Sequence, residues 1–201
     1  ARNHLATTKM QKTPDQLRAM LKRRYHIGAL AAKVMVNLSR GKRKFCMTEF
    51  FIKTDIPVSE FLERVTRIVM EETTQNFFLN LATNPDHYCL VGAAGNTSEI
   101  LECPAESPVP FRFWGDYDDV ANLQSPQAPG YTHRLAGSAL LEDGFEMGAL
   151  HHQLKQEPDG IRMKAIIEFP TALPNRNFKM HQYHLACEFR QWLGYVINGI
   201  G

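Results

Sequence analysis

The chain has 201 residues, 44% hydrophobic and 22% charged, with a formal net charge of +2. That length and composition suit one packed core with an extension and crowd two independent domains. No apolar run reaches the ~18 residues of a membrane helix, no apolar stretch follows the basic start as in a secretory signal, and the four cysteines, with no CxxC, are too sparse for a disulfide scaffold.

The near-neutral total hides a split. Residues 1–44 carry twelve Lys/Arg and one acid, Asp15, a net of +11; residues 45–201 carry eleven Lys/Arg and twenty acids, a net of −9. Such a split reads as a basic arm, 1–44, attached to a single α+β domain, 45–201. An acid-poor start at Ala1 also fits a processed or retained targeting segment.

Residues 1–12 read as a polar, flexible lead-in. Thr13, Pro14 and Gln16 form a capping-box start. Two apolar stripes follow, Leu17, Met20, Leu21, Tyr25 and then Ile27, Leu30, Ala31, Val34, Leu38, with Gly28 between them and Gly41 as the stop. Lys44–Thr54 is rich in aromatic and β-favouring residues and predicts a strand. Asp55-Ile56-Pro57 opens a helix whose stripe Val58, Phe61, Leu62, Val65, Ile68, Val69 ends near Glu72–Thr74.

Short strands come next: Tyr88–Val91 and Ser98–Cys103 around a Gly92–Asn96 turn. Prolines 104, 108 and 110 interrupt the pattern before Phe111-Arg112-Phe113-Trp114, and 115–130 reads as a long loop. Strands near 131–141, 145–155 and 161–169 are joined by Asp143-Gly144 and Asp159-Gly160 turns. A last helix spans 179–197, with Leu185, Phe189, Trp192 and Val196 on one face. The fold class is α+β: an antiparallel sheet with helices on one face, preceded by the basic helical arm.

Candidate sites are few. Arg18, Lys22, Arg23, Arg24, Lys33, Arg40, Lys42, Arg43 and Lys44 would neutralise phosphates of a nucleic acid, RNA favoured, or of an anionic membrane surface. The competing reading pairs them with the acidic body of the same chain or of a neighbouring subunit. His181 and His184 share a helix face, but Cys187 rotates away, so no metal is expected from that trio; His87, Cys89 or Cys103 would join only through the tertiary fold. His151 and His152 point to opposite strand faces. Asp116, Asp118 and Asp119 lack the glycine and closing glutamate of a calcium loop. Phe111, Phe113 and Trp114 suit core packing better than base stacking. No nucleophile motif and no phosphate loop is present.

The charge split therefore points to a non-enzymatic binding or assembly protein, nucleocapsid-, matrix- or ribonucleoprotein-like, without a cofactor. Its basic arm would engage RNA or another anionic surface in a larger complex, and its N-terminal helix would meet a protein partner or a second copy in an oligomer. The setting would be intracellular, cytoplasmic or organellar. The order strand–helix–strands–C-terminal helix also resembles helix-grip (START-like) and cystatin-like cups. That resemblance implies an alternative: a cup-shaped domain holding a hydrophobic small molecule, with or without an enzymatic step.

Overall fold

The computed structural model describes residues 1–104 and 107–200. The elements run α1 (Arg2–Lys9), α2 (Pro14–Leu38), β1 (Arg43–Lys53), α3 (Val58–Met70), α4 (Thr74–Thr83), β2 (His87–Ala93), β3 (Thr97–Glu102), β4 (Phe111–Asp116), β5 (His133–Leu140), β6 (Glu146–Glu157), β7 (Gly160–Pro170) and α5 (Asn175–Ile197). The sheet is antiparallel throughout, in the order β1-β7-β6-β5-β4-β3-β2. Strands β2 to β7 form a meander, and β1 closes its far edge beside β7. Helices α3 and α4 must therefore carry the chain from one edge of the sheet to the other. No helix among the described residues is long and apolar enough to cross a membrane.

The inner face of the sheet packs on α3, α4 and α5. The α3 stripe lies in this core as its spacing requires, with Val58, Phe61, Val65, Ile68 and Val69 buried. Leu185, Phe189, Trp192 and Val196 of α5 meet it from the other side. The turns Asp143-Gly144 and Asp159-Gly160 fall where the sequence puts them, and Gly144 has a φ of 79°.

Helix α2 lies on the opposite, outer face. Its Thr13–Gln16 capping box is formed in both directions. Leu21 and Tyr25 pack with Cys89, Val91 and Leu101 of β2 and β3. Each such side chain contributes roughly 1.5–3 kcal/mol of burial. The second stripe is not covered: Ile27, Leu30, Val34 and Leu38 are all more than half exposed. Gly28 explains how a helix comes so close to the sheet. A Cβ built there would lie 2.2 Å from the Pro110 carbonyl oxygen, and that neighbour is backbone. In an ordinary helix Gly→Ala stabilises by about 1 kcal/mol. Here the sign reverses: Gly28→Ala is expected to cost about 1–3 kcal/mol through overpacking. Urea denaturation checks it, and a variant as stable as the wild type would refute the close approach.

Two helices differ from expectation. Residues 2–9 form α1, which buries Ala6 against Leu81 and Ala82 of α4. Helix α4 replaces a stretch that carried no apolar periodicity, because Asn76, Asn80 and Thr83 occupy buried positions on it. Each has partners: Asn76 donates to the Arg67 and Glu71 carbonyls, Asn80 to the Ile68 and Leu90 carbonyls, and Thr83 to the Leu79 carbonyl. The long loop before β5 lies against the outer face, held by Glu168 through the amides of Gln124 and Ser125.

Candidate functional site

The basic residues of the first 44 are spread widely, and several are already engaged. Arg18 contacts Glu99 at 2.6 Å and Asp15 at 2.6 Å. Lys33 pairs with Asp143. Arg43 bridges Glu146 at 2.7 Å and Glu168 at 3.1 Å. Lys44 donates to the Leu173 carbonyl and to Asn175, and Arg24 to the Pro108 carbonyl. Lys22, Arg23, Arg40 and Lys42 lie on the surface. Burial alone would raise the Glu99 carboxyl, but Arg18 and Arg112 outweigh it and hold it below the usual carboxylate range. Arg18, Lys33 and Arg43 thus meet carboxylates of the same chain.

The groups that converge are inside. Between α5 and the inner face lies a cavity of about 100 Å³. Leu90, Ile100, Phe113, Leu150 and Phe189 give it apolar walls, and Glu102, His184 and Glu188 give it a polar end. Of the aromatic run in β4, Phe113 faces this space, while Arg112 and Trp114 stack on the outer face at 4.7 Å. His152 lines the cavity; His151 points outward to Ser125, 2.9 Å away.

His87 reaches the polar end because of a backbone irregularity. The β2–β3 register shifts between His87 and Cys89, and His87 then sits opposite Glu102. Strict alternation from the inward Leu90 would send His87 outward; the bulge turns it inward. His184 and Glu188 are one turn apart on α5, so they share a face. His87 Nε2 lies 3.3 Å from Glu102 and 3.5 Å from Glu188. His184 Nε2 lies 3.5 Å from Glu102 and 3.3 Å from Glu188. Two imidazole nitrogens and two carboxylates are atoms of the kind that ligate metals.

The electrostatics are set by these neighbours. Burial works against a charged His184, but Asp86, Glu102 and Glu188 outweigh it and push its pKa up to about 12. His87 is also raised, by Glu102 and then Glu188, against its complete burial. Burial would raise Glu102, but His184 and His87 draw it well below the usual range. His181 stacks on His184 with ring centroids 4.9 Å apart; burial pulls its pKa down to about 3, and does the same to His152. Of the trio considered in the sequence, only His184 belongs to the cluster. Its partners come from β2 and β3 and from the next turn of its own helix.

A wider groove of about 380 Å³ lies outside, between α2 and the β5–β6 turn, lined by Tyr25, Leu30, Lys33 and Arg112. It is shallower chemistry despite its size, since Lys33 and Arg112 are already paired with Asp143 and Glu99.

No protein-family model matches the chain, and no curated protein matches it. Among solved structures it is similar to the crystal structure of Ara h 8.0201, with a TM-score of 0.49 and 12% identity over 78% of this chain and 99% of that one. It is also similar to the solution structure of an AHSA1-like protein from Aeromonas hydrophila, with a TM-score of 0.40 and 14% identity over 78% of this chain and 94% of that one. The expected nucleocapsid-, matrix- or ribonucleoprotein-like role, and with it the description as a viral RNA-binding assembly protein, is corrected by the arrangement of the molecule itself. It has a polar-ended cavity beneath its last helix, and Arg18, Lys33 and Arg43 are spent on its own carboxylates.

Proposed function

We propose that the chain is a small-molecule-binding cup whose ligand sits between α5 and the inner face of the sheet. The observation that supports this most is the cavity itself: apolar walls from both layers, closed at one end by ionisable side chains. Pockets for drug-sized ligands run to ~300–1,000 Å³, and an apolar cavity of ~150 Å³ takes a benzene-sized guest. At about 100 Å³ the space here suits a compact molecule, a single ring or a short branched chain with one polar group. The apolar part would rest on Leu150 and Phe113, and the polar group would face Glu102, His184 and Glu188.

The test uses phenol and toluene as probes in a thermal-shift series, alongside mass spectrometry of small molecules extracted from the purified protein. Raised melting temperature with either probe, or a stoichiometric extracted compound, is the expected result. Leu150→Trp, which fills the space from β6, should abolish it. A folded wild type that neither responds to the probes nor carries a compound, or a Leu150→Trp variant that responds as the wild type does, would sink the reading.

A further inference from the structure

We propose that His87, Glu102 and His184, with Glu188 beside them, form a binding site for a divalent transition-metal ion of the zinc class. This goes beyond the ligand cup and does not depend on it, because the four residues converge whether or not the cavity holds a molecule.

The spacing carries the argument. Glu102 Oε2 lies 3.3 Å from His87 Nε2 and 3.5 Å from His184 Nε2, and these three atoms all fall within 4.8 Å of one another; Glu188 stands beside them, one oxygen 3.5 Å from His87 and the other 3.3 Å from His184. Charge-assisted hydrogen bonds between such groups run to about 2.7–2.9 Å, so these contacts are too long for a relaxed ion-pair network. The two contacts to Glu102 Oε2 match edges of a coordination tetrahedron: with metal–ligand bonds of about 2.0–2.1 Å the ligand atoms stand roughly 3.3–3.4 Å apart. His87 Nε2 is fully buried and has no hydrogen-bond partner.

The orientation of both rings agrees. His87 Nδ1 lies 2.8 Å from the Asn80 carbonyl oxygen, which only accepts, so Nδ1 carries the proton. In the neutral ring Nε2 then holds a lone pair aimed into the cluster. His184 Nδ1 lies 3.2 Å from Asp86 and 3.1 Å from Asn84. A backbone carbonyl behind one histidine and a carboxylate behind the other are the outer partners that metal-ligating histidines use. A divalent cation would take the place of the protons held between the imidazoles and the buried carboxylates, so its binding releases protons.

The ligand set selects the ion. Calcium prefers six to eight oxygens, and magnesium an octahedron rich in water. Two imidazoles and one carboxylate, with a fourth position left open, suit zinc, and cobalt(II) as its spectroscopic substitute. The supports are two strands and a helix rather than loops, which keeps the atoms in place.

The full chain is stripped with a chelator and titrated with zinc alone by calorimetry, and with cobalt(II) alone by visible absorption, without any organic ligand. The expected result is one ion per chain and the strong visible bands of tetrahedral cobalt. Glu102→Gln should weaken zinc more than about tenfold, and Asp86→Asn, which touches no ion, by about 10–100-fold. Asp86 is partly exposed, so its variant keeps the test open if Glu102→Gln does not fold. A folded wild type that binds neither ion, or folded Glu102→Gln and Asp86→Asn variants that bind as the wild type does, would overturn the proposal. Either outcome leaves the phenol and toluene response of the cup to be read separately.

Discussion

Replacing Glu168 by alanine is expected to lower the unfolding free energy by about 3–5 kcal/mol, the cost of breaking a buried charge pair from one side. Glu168 is fully buried on the outer face of β7. Its carboxylate accepts from the Ser125 amide at 2.7 Å, the Ser125 hydroxyl at 2.6 Å, the Gln124 amide at 2.9 Å and Arg43 at 3.1 Å. Alanine would leave the loop amides without that acceptor and Arg43 with Glu146 and the Asn122 carbonyl. Urea unfolding measures the loss, and a variant within about 1 kcal/mol of wild type, the worth of an ordinary surface pair, would refute the account. The pH dependence has a definite sign. Burial tends to raise the Glu168 carboxyl, but Ser125, Gln124 and Arg43 outweigh it and hold its pKa down. A depressed native pKa means the stabilisation is complete above the unfolded value of about 4.3 and drains away as pH falls below it. Wild type should therefore lose more stability on acidification through that range than Glu168→Gln, which does not titrate.

The same carboxylate shows what the sequence reveals and what it withholds. Elements with clean periodicity were legible: the α3 stripe, the strand at β1, the Asp-Gly hairpins and the apolar face of α5. Helix α4 was not, because Asn76, Asn80 and Thr83 are buried through hydrogen bonds rather than through apolar character. The charges of the first 44 residues were plain, but their partners, Glu99, Asp143, Glu146 and Glu168, come from distant strands and turns. The buried cluster was half legible. His184 was visible on its helix face, and the Gly92–Asn96 hairpin brings residues near 88 beside residues near 102. The bulge that turns His87 inward is a local backbone event, and period-two alternation places that side chain on the other face.

Replacing Asn80 by leucine should cost roughly 3–9 kcal/mol, taking about 1–3 for each buried polar group left unpaired. Asn80 is almost completely buried on α4. Its amide donates to the Ile68 carbonyl at 3.1 Å and to the Leu90 carbonyl at 3.1 Å, and its side-chain oxygen accepts from Trp192 Nε1 at 3.0 Å. One residue thus ties α3, β2 and α5 together beneath the cavity. Leucine matches its size but offers none of these bonds, so three groups from three elements lose partners at once. Against a total stability of about 5–15 kcal/mol, that loss is enough to unfold much of the population. Trp192→Phe removes one of the three bonds and should cost about 1–3 kcal/mol, giving a measurable share if the leucine variant is too unstable to purify. Chemical denaturation of both decides it: an Asn80→Leu protein as stable as Trp192→Phe would mean that the two carbonyls find other donors. The backbone carbonyl of Asn80 also holds His87 Nδ1, so the residue that joins the three elements is the one that aims the histidine at Glu102 and Glu188.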